Sequence, residues 1–575
     1  MRFPRRFVVP FALALLTGCA GHAAEAPEPA AGIARDWPLE RKARVTEAPS
    51  AMVVSGHPRA SEVGRDVLRA GGNAVDAAVA VGFALAVLHP EAGNIGGGGF
   101  MVIRTADGQV RSLDYRETAP GRASRDMYLD ENGDPTELSV TGHLSAGVPG
   151  SPAGLVEAHR ALGRLPLDSV ILPAIRLARE GFEVDEYRSE SIRSDSARLA
   201  SFPASAAGFL PGGRPPAPGE RLVQPDLAAT LEAIRREGAD GFYRGRVADL
   251  ILAEMERGGG LISHADLAGY RAIWREPITI SYRGHTIYSM PPASSGGVTM
   301  GQIFNIMEGY DPLPPFGTPA LIHREAEAMR RAFTDRNRHL GDPAFVENPV
   351  ERLMSKEYAA DLRSSIGERA TPTPRFEPAA TGGSSTTHYS VVDAEGNAVS
   401  CTTTLNNSYG SAVTVAGAGF LLNDEMDDFA TSPGQPNMYG LVQGEANAIA
   451  PGKRMLSAMT PSIVLDTAGQ LHLVTGTPGG PRIITMVYHT ISNVIDHRMP
   501  LPQAVTAPRM HHQALPDSIR VEQDGFTRTT LDSLRARGHR INEGGHWGDV
   551  EAIIRTPRGW QGVSDPRRGG GGAGY

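Results

Sequence analysis

Cysteine is nearly missing from this chain: 575 residues hold two, Cys19 and Cys401. Cysteine-clustered zinc modules are thereby excluded. Long apolar runs are scarce too. The run from Ala77 to Leu88 is apolar all round but only twelve residues long, too short to cross a bilayer, so it predicts a core helix. Positive charge is in deficit, with 56 Lys and Arg against 64 Asp and Glu, a formal charge of -8, and no basic block after the first residues. That balance argues against a nucleic-acid partner. No G-x-S-x-G elbow, H-E-x-x-H pair or Walker loop is present, so serine-hydrolase, zinc-protease and NTPase readings lose their usual support. Asp130-Glu131-Asn132-Gly133-Asp134 lacks the full spacing of a calcium loop and reads as a turn. Gly96 to Gly99, without a cofactor acid to frame them, also read as a tight turn.

What is present is an ordinary globular composition, 41% apolar and 21% charged, with ample length for a large core. Arg2, Arg5 and Arg6 precede an apolar run from Phe7 to Leu16, the pattern of an export signal. Leu16-Thr17-Gly18-Cys19 resembles the bacterial lipoprotein box, which predicts a signal peptide over 1–18, lipidation of Cys19 and an Ala/Pro/Glu-rich tether within 19–50; ordinary cleavage near Ala23-Ala24 is the competing reading. The expected location is the periplasm, with membrane attachment only through that lipid. Cys401 would then be the one thiol left, a small buried residue of a strand.

Asn73 caps the predicted core helix. Further helical patterns cover Ser61 to Ala70, Pro152 to Leu162, Ser169 to Arg179 and Asp226 to Arg236. Pro203 to Gly219 and Thr371 to Ser385 read as interruptions, the second as a linker. After Thr386 the texture becomes β-rich, with HYSVVD, AVSCTTTL, SAVTVAG, SIVLD and LHLVTG as strands and few helices before Leu501. GGGGAG near the end reads as a flexible tract.

The linker ends in Ser385-Thr386-Thr387. A threonine hydroxyl is a weak nucleophile that a free α-amine on the same residue can activate, which here demands scission between Ser385 and Thr386. A hairpin follows. With a three-residue loop its paired positions sum to about 790, placing Thr404 opposite Thr386, whereas a two-residue loop would turn Thr404 away. On pattern alone this remains one reading beside a structural Ser/Thr-rich loop.

The segment TTHYSVVDAEGNAVSCTTTLNNSYGSAVTVAGAGFLLNDEMDDF resembles the start of the small subunit of γ-glutamyltransferases, members of the N-terminal-nucleophile hydrolases. GGNAVDAAVA, GNIGGGGFMVI, LDYRETAP, PPASSGGV, PNMYGLVQGEANAI, KRMLSAMTPS, VTGTPGGPRII, APRMHHQ and SDPR extend the resemblance from about Ala51 to Tyr575. It implies an α+β protein, a four-layer αββα sandwich, made as a precursor whose large subunit, 51–385, and small subunit, 386–575, stay associated after scission. No cofactor and no metal are implied. Thr386 would attack its own upstream carbonyl and then the γ-amide carbon of a donor such as glutathione, passing the γ-glutamyl group to water or to an amino acid or dipeptide.

By the same resemblance Thr404 positions Thr386, and the N–H groups of Gly479 and Gly480 form the oxyanion hole. Arg116 would grip the substrate α-carboxylate with help from Ser457. Asn406, Glu425 and Asp428 would receive its ammonium, and Tyr439 would close the pocket as part of a lid. One departure stands out: many family members carry two serines where this chain has Ser457-Ala458. It leaves a glutaryl- or cephalosporin-type acylase as an alternative, and an inert periplasmic binding lipoprotein as another. His511 and His512 read as structural.

Overall fold

The computed structural model describes residue 1, residues 32–373 and residues 386–575. The signal segment, Cys19, much of the tether and the linker from 374 to 385, including Ser385, lie outside the described residues.

The hairpin predicted from the 790 sum is present. Strand Thr386–Val392 pairs antiparallel with Ala398–Thr404, Thr386 facing Thr404 and Val392 facing Ala398. Every residue of both strands is buried, as expected of strands covered on two faces. Successive side chains alternate between those faces. Tyr389, Val391, Val399 and Cys401 join a helix-lined core. Ser390 and Ser400 point the other way, their hydroxyls donating to the Glu551 carbonyl at 2.9 Å and the Thr475 carbonyl at 3.0 Å of a second sheet.

The hairpin sits at the centre of a seven-stranded antiparallel sheet, ordered Gly571–Gly574, Met52–Ser55, Thr386–Val392, Ala398–Thr404, Gly98–Arg104, Val110–Tyr115, Ile273–Arg275. The facing sheet also has seven strands: Arg44–Ala48, Gly559–Ser564, Glu551–Thr556, Leu471–Thr475, Ser462–Leu465, His285–Ser289, Ile278–Tyr282. Helices cover both outer faces. On one side helix Ala74–Leu88 is buried at all fifteen positions, held at its start by a reciprocal cap between Asn73 and Asp76. On the other lie Gly296–Glu308, Pro319–His339 and Arg482–Ile495, which share the second core with the facing sheet. The result is the expected four-layer αββα sandwich. Cys401 is buried, its thiol 3.0 Å from the Tyr115 hydroxyl and pushed up to about 12 by burial.

Four local expectations are corrected. Pro203–Phe209 is a short helix rather than an interruption, with proline at the first position where its missing N–H costs nothing. SAVTVAG forms no strand: Ala412 and Gly417 adopt positive φ, and the segment contributes one isolated bridge, Thr414 with Leu421. RIITMVYHTISNVI is a fourteen-residue helix inside the region read as having few helices. GGGGAG supplies the edge strand Gly571–Gly574, where glycine is required by crowding; a Cβ on Gly574 would stand 2.5 Å from the Ala48 Cβ. Asp130 to Asp134 form the plain turn expected, Gly133 N donating to Asp130 O at 3.0 Å.

Candidate active site

Thr386 heads its strand beyond the point where Met52–Ser55 stops pairing, since that pairing begins at Tyr389. Its hydroxyl lies 3.1 Å from the Thr404 hydroxyl. Thr404 Oγ1 also accepts the Asn406 N–H at 2.8 Å, so one side of that oxygen is fixed by backbone. The Gly96 to Gly99 run holds this end of the hairpin in place, and it is not merely the expected turn. Gly98 and Gly99 begin a strand, and a Cβ on Gly97 would lie 2.1 Å from the Thr404 carbonyl oxygen. Only glycine lets the two backbones approach so closely. Asn94 completes the clamp, its Nδ2 donating to Thr404 O at 2.9 Å while its Oδ1 accepts from Gly97 N.

Thr386, Thr404 and Asn406 line one cavity of about 340 Å³ with Arg116, Asp428, Tyr439, Ser457, Ala458 and Gly480. Arg336, Leu441, Leu456, Met459, Pro481 and Ile483 complete its wall. Sequence reasoning missed Arg336. The signal was available: on helix Pro319–His339 it falls in register with buried Glu325, Met329, Ala332 and Phe333, so a basic side chain interrupts a core stripe. Gly479 and Glu425 do not line the cavity. Gly479 and Gly480 have φ of 147° and 58°, and a Cβ on Gly479 would meet the Met486 Cε at 2.4 Å. Neither glycine N–H has a hydrogen-bond partner among the described residues.

The far end of the cavity is ionic. Arg116, which pattern alone would place in a surface salt bridge, is fully buried. Its guanidinium pairs with Glu425 at 2.6 Å, with Glu117 at 3.5 Å and with Asp428. Four buried carboxyls, Glu117, Asp424, Glu425 and Asp427, and the half-buried Asp428 crowd this end. Burial raises them all: Glu117 to about 8, Asp427 to about 7, and Asp424, Glu425 and Asp428 upward, with Arg116 opposing the rise at Glu117, Glu425 and Asp428. Carboxyl groups therefore outnumber Arg116 at this end, and burial disfavours their all being charged at once.

A flap covers the cavity. Tyr439 is buried, its hydroxyl donating to Asn406 O at 2.9 Å, and a tight turn closes from Asn437 to Leu441, which pair N to O at 3.1 Å. The PPASSGG block supports the opposite wall: Ser295 Oγ donates to Ser457 O and Ser294 Oγ to Met459 O, each at 2.6 Å. His511 and His512 stay out of the cavity wall. His511 is bonded to Thr485 and Gln513, His512 to Asp517.

Two stacked antiparallel sheets between helical layers, with a threonine opening a central strand above a cavity, define an N-terminal-nucleophile hydrolase fold. A family model described as Gamma-glutamyltranspeptidase matches residues 60–575, and the chain belongs to that family. It is 45% identical over 563 residues to the glutathione hydrolase proenzyme of Escherichia coli (strain K12), covering 96% of each chain. It is 41% identical over 526 residues to the acylase ACY 1 proenzyme of Pseudomonas sp. (strain V22), covering 90% of this chain and 91% of that one. The crystal structure of cephalosporin acylase from Bacillus halodurans superposes with a TM-score of 0.84 at 30% identity, covering 94% of this chain and 98% of that chain.

Proposed function

We propose that the chain is a self-cleaving glutathione hydrolase and γ-glutamyltransferase whose nucleophile is Thr386. The observation carrying this reading is the buried Thr386 hydroxyl, 3.1 Å from Thr404, facing a cavity whose other end holds Arg116 and Asp428. In the precursor, Thr386 Oγ1 attacks the carbonyl of residue 385, the amide nitrogen leaves as the new α-amine, and water hydrolyses the resulting ester. That amine then takes the hydroxyl proton in each later cycle. Thr404, anchored by the Asn406 N–H, positions the Thr386 hydroxyl.

In turnover the same oxygen attacks the γ-amide carbon of the donor, the amine leaves with a proton, and water or an amino acid or dipeptide takes the γ-glutamyl group from the ester. The unspent N–H groups of Gly479 and Gly480 suit the developing oxyanion; one such donor contributes about 3 kcal/mol in comparable sites. Asp428 receives the ammonium, with Glu425 behind Arg116 setting the charge balance. Arg116 and Ser457 face the α-carboxylate, and Tyr439 shuts the pocket against water.

An acylase relative and Ala458 keep a glutaryl substrate in view, but an acyl group without an ammonium would leave Asp428 with one counter-charge fewer in a carboxylate-rich pocket. Export as a lipoprotein through Cys19 belongs to the same proposal; mass spectrometry of the mature N-terminus tests it, an unlipidated terminus at Glu25 overturning it. The central test is purification followed by denaturing electrophoresis and N-terminal sequencing. The wild type is expected as two fragments, the shorter beginning Thr-Thr-His, and Thr386→Ala as one uncleaved chain. Any other start with full turnover would refute the nucleophile, and faster release from glutaryl- than from γ-glutamyl-p-nitroanilide would favour the acylase.

A further inference from the structure

Arg336 enters the cavity from the last turn of helix Pro319–His339 and is almost wholly buried. Its surroundings differ in kind from those of Arg116. Nε donates to Ser295 Oγ at 2.9 Å, and Nη1 donates to Asn337 Oδ1 at 2.8 Å and to Gln443 Oε1 at 3.2 Å. All three acceptors are neutral. Among the described residues Nη2 has no hydrogen-bond partner and the guanidinium no ion pair. Burial pulls the group down to about 10, with Asp428 opposing that from a distance, so it stays charged at neutral pH. Arg116, by contrast, is surrounded by three carboxylates. A buried cation without an anion is costly, and an anionic ligand group is the natural complement.

We propose that Arg336 is a specificity-determining residue that reads the α-carboxylate of the donor, alongside Arg116. The inference rests on the γ-glutamyl reading above. It accounts for the departure at Ala458, because the Nη2 of Arg336 offers a donor in place of the missing second serine hydroxyl. Arg336 also ties the two walls together. Ser295 accepts from it while donating to Ser457 O, and Gln443 accepts from it while its Nε2 donates to Asp428 O at 3.1 Å. Carboxylate and ammonium contacts are thus set by one side chain.

The test uses the cleaved full-length wild type, Arg336→Met and Arg336→Lys, each assayed with γ-glutamyl-p-nitroanilide and with 4-aminobutyryl-p-nitroanilide. The second substrate keeps the amine and the scissile amide but has no α-carboxylate. Arg336→Met is expected to raise KM for the γ-glutamyl compound at least about tenfold more than for the 4-aminobutyryl compound, the loss expected for a hydrogen bond to a charged group. Arg336→Lys, which keeps charge without the planar fork, should fall between. Equal losses on both substrates, or none on either, would overturn the proposal and leave Arg336 as a prop for the wall. If the methionine variant does not fold and cleave, the lysine variant carries the same comparison with the same two outcomes. Failure of the underlying reading looks different: the cleaved wild type would itself not release p-nitroaniline from the γ-glutamyl compound, and this inference would fall with it.

Discussion

The two ends of the cavity are built on opposite principles. At the Thr386 end the described groups facing the cavity are neutral: two hydroxyls, an asparagine and glycine N–H groups are fixed by a strand ladder and by backbone contacts too close for any Cβ, and Arg568 Nη1 reaches only the backbone there, donating to Thr386 O at 3.5 Å. At the Arg116 end nearly everything is ionic, and the groups come from distant segments, around 116, 336, 425 and 457. Neutral groups on a ladder are cheap to bury and hard to displace, which suits an atom that must be placed to a fraction of an ångström. Buried charges are expensive and demand partners, which suits discrimination between ligands. Chemistry and recognition are thereby separated along one axis.

Three changes probe that separation, in falling order of effect. Thr404→Val keeps the shape and removes the hydroxyl beside Thr386, so scission and kcat are expected to fall about 10²-fold or more with KM little altered. Pulse-chase electrophoresis and steady-state kinetics measure both, and a pure KM effect would erase the contrast. Asp428→Asn leaves the reacting groups untouched and is expected to raise the KM for γ-glutamyl-p-nitroanilide roughly 10- to 100-fold while precursor cleavage proceeds normally. A block in cleavage instead would mean that the ionic end also shapes the nucleophile.

The third change concerns pH. Burial lifts Asp427 to about 7, despite hydrogen bonds from Ser139 Oγ and Met438 N that favour its charged form. Its unfolded value is near 4. A carboxyl raised on folding contributes stability that is fully present below the unfolded value and is lost as pH climbs through the folded one. Thermal stability should therefore fall between about pH 4 and 7 by up to about 1.4 kcal/mol per pH unit from this group. Asp427→Asn is expected to flatten that part of the profile in calorimetry, and an unchanged profile would assign the dependence to other buried acids.

Much of this was legible in the residues. The two runs TTHYSVV and AVSCTTT, with a turn between, announced the hairpin but left its register open between two loop lengths, because strands buried on both faces show no polar side to fix it; the structure pairs Thr386 with Thr404. Asn73 and the unbroken apolar run after it announced the core helix. Elsewhere local pattern misled for identifiable reasons. RIITMVYHTISNVI is rich in β-branched residues, and its helical state comes from packing against Phe304 and its neighbours rather than from propensity. SAVTVAG looks like a strand until positive φ at Ala412 is seen. Arg336 sits in RRAFTDRNRH, where charge suggests a solvated face, and only the spacing of Met329, Ala332 and Phe333 turns it inward.

The order of the central sheet carries one more consequence. Strands from before residue 385 and from after it alternate there: Gly571–Gly574, then Met52–Ser55, then the Thr386 hairpin, then Gly98–Arg104. A chain cut ahead of Thr386 would remain woven through itself, so the pieces could part only by unravelling the molecule's centre. Each molecule would keep for life the half it was made with, and a mixture of two finished variants would never trade parts.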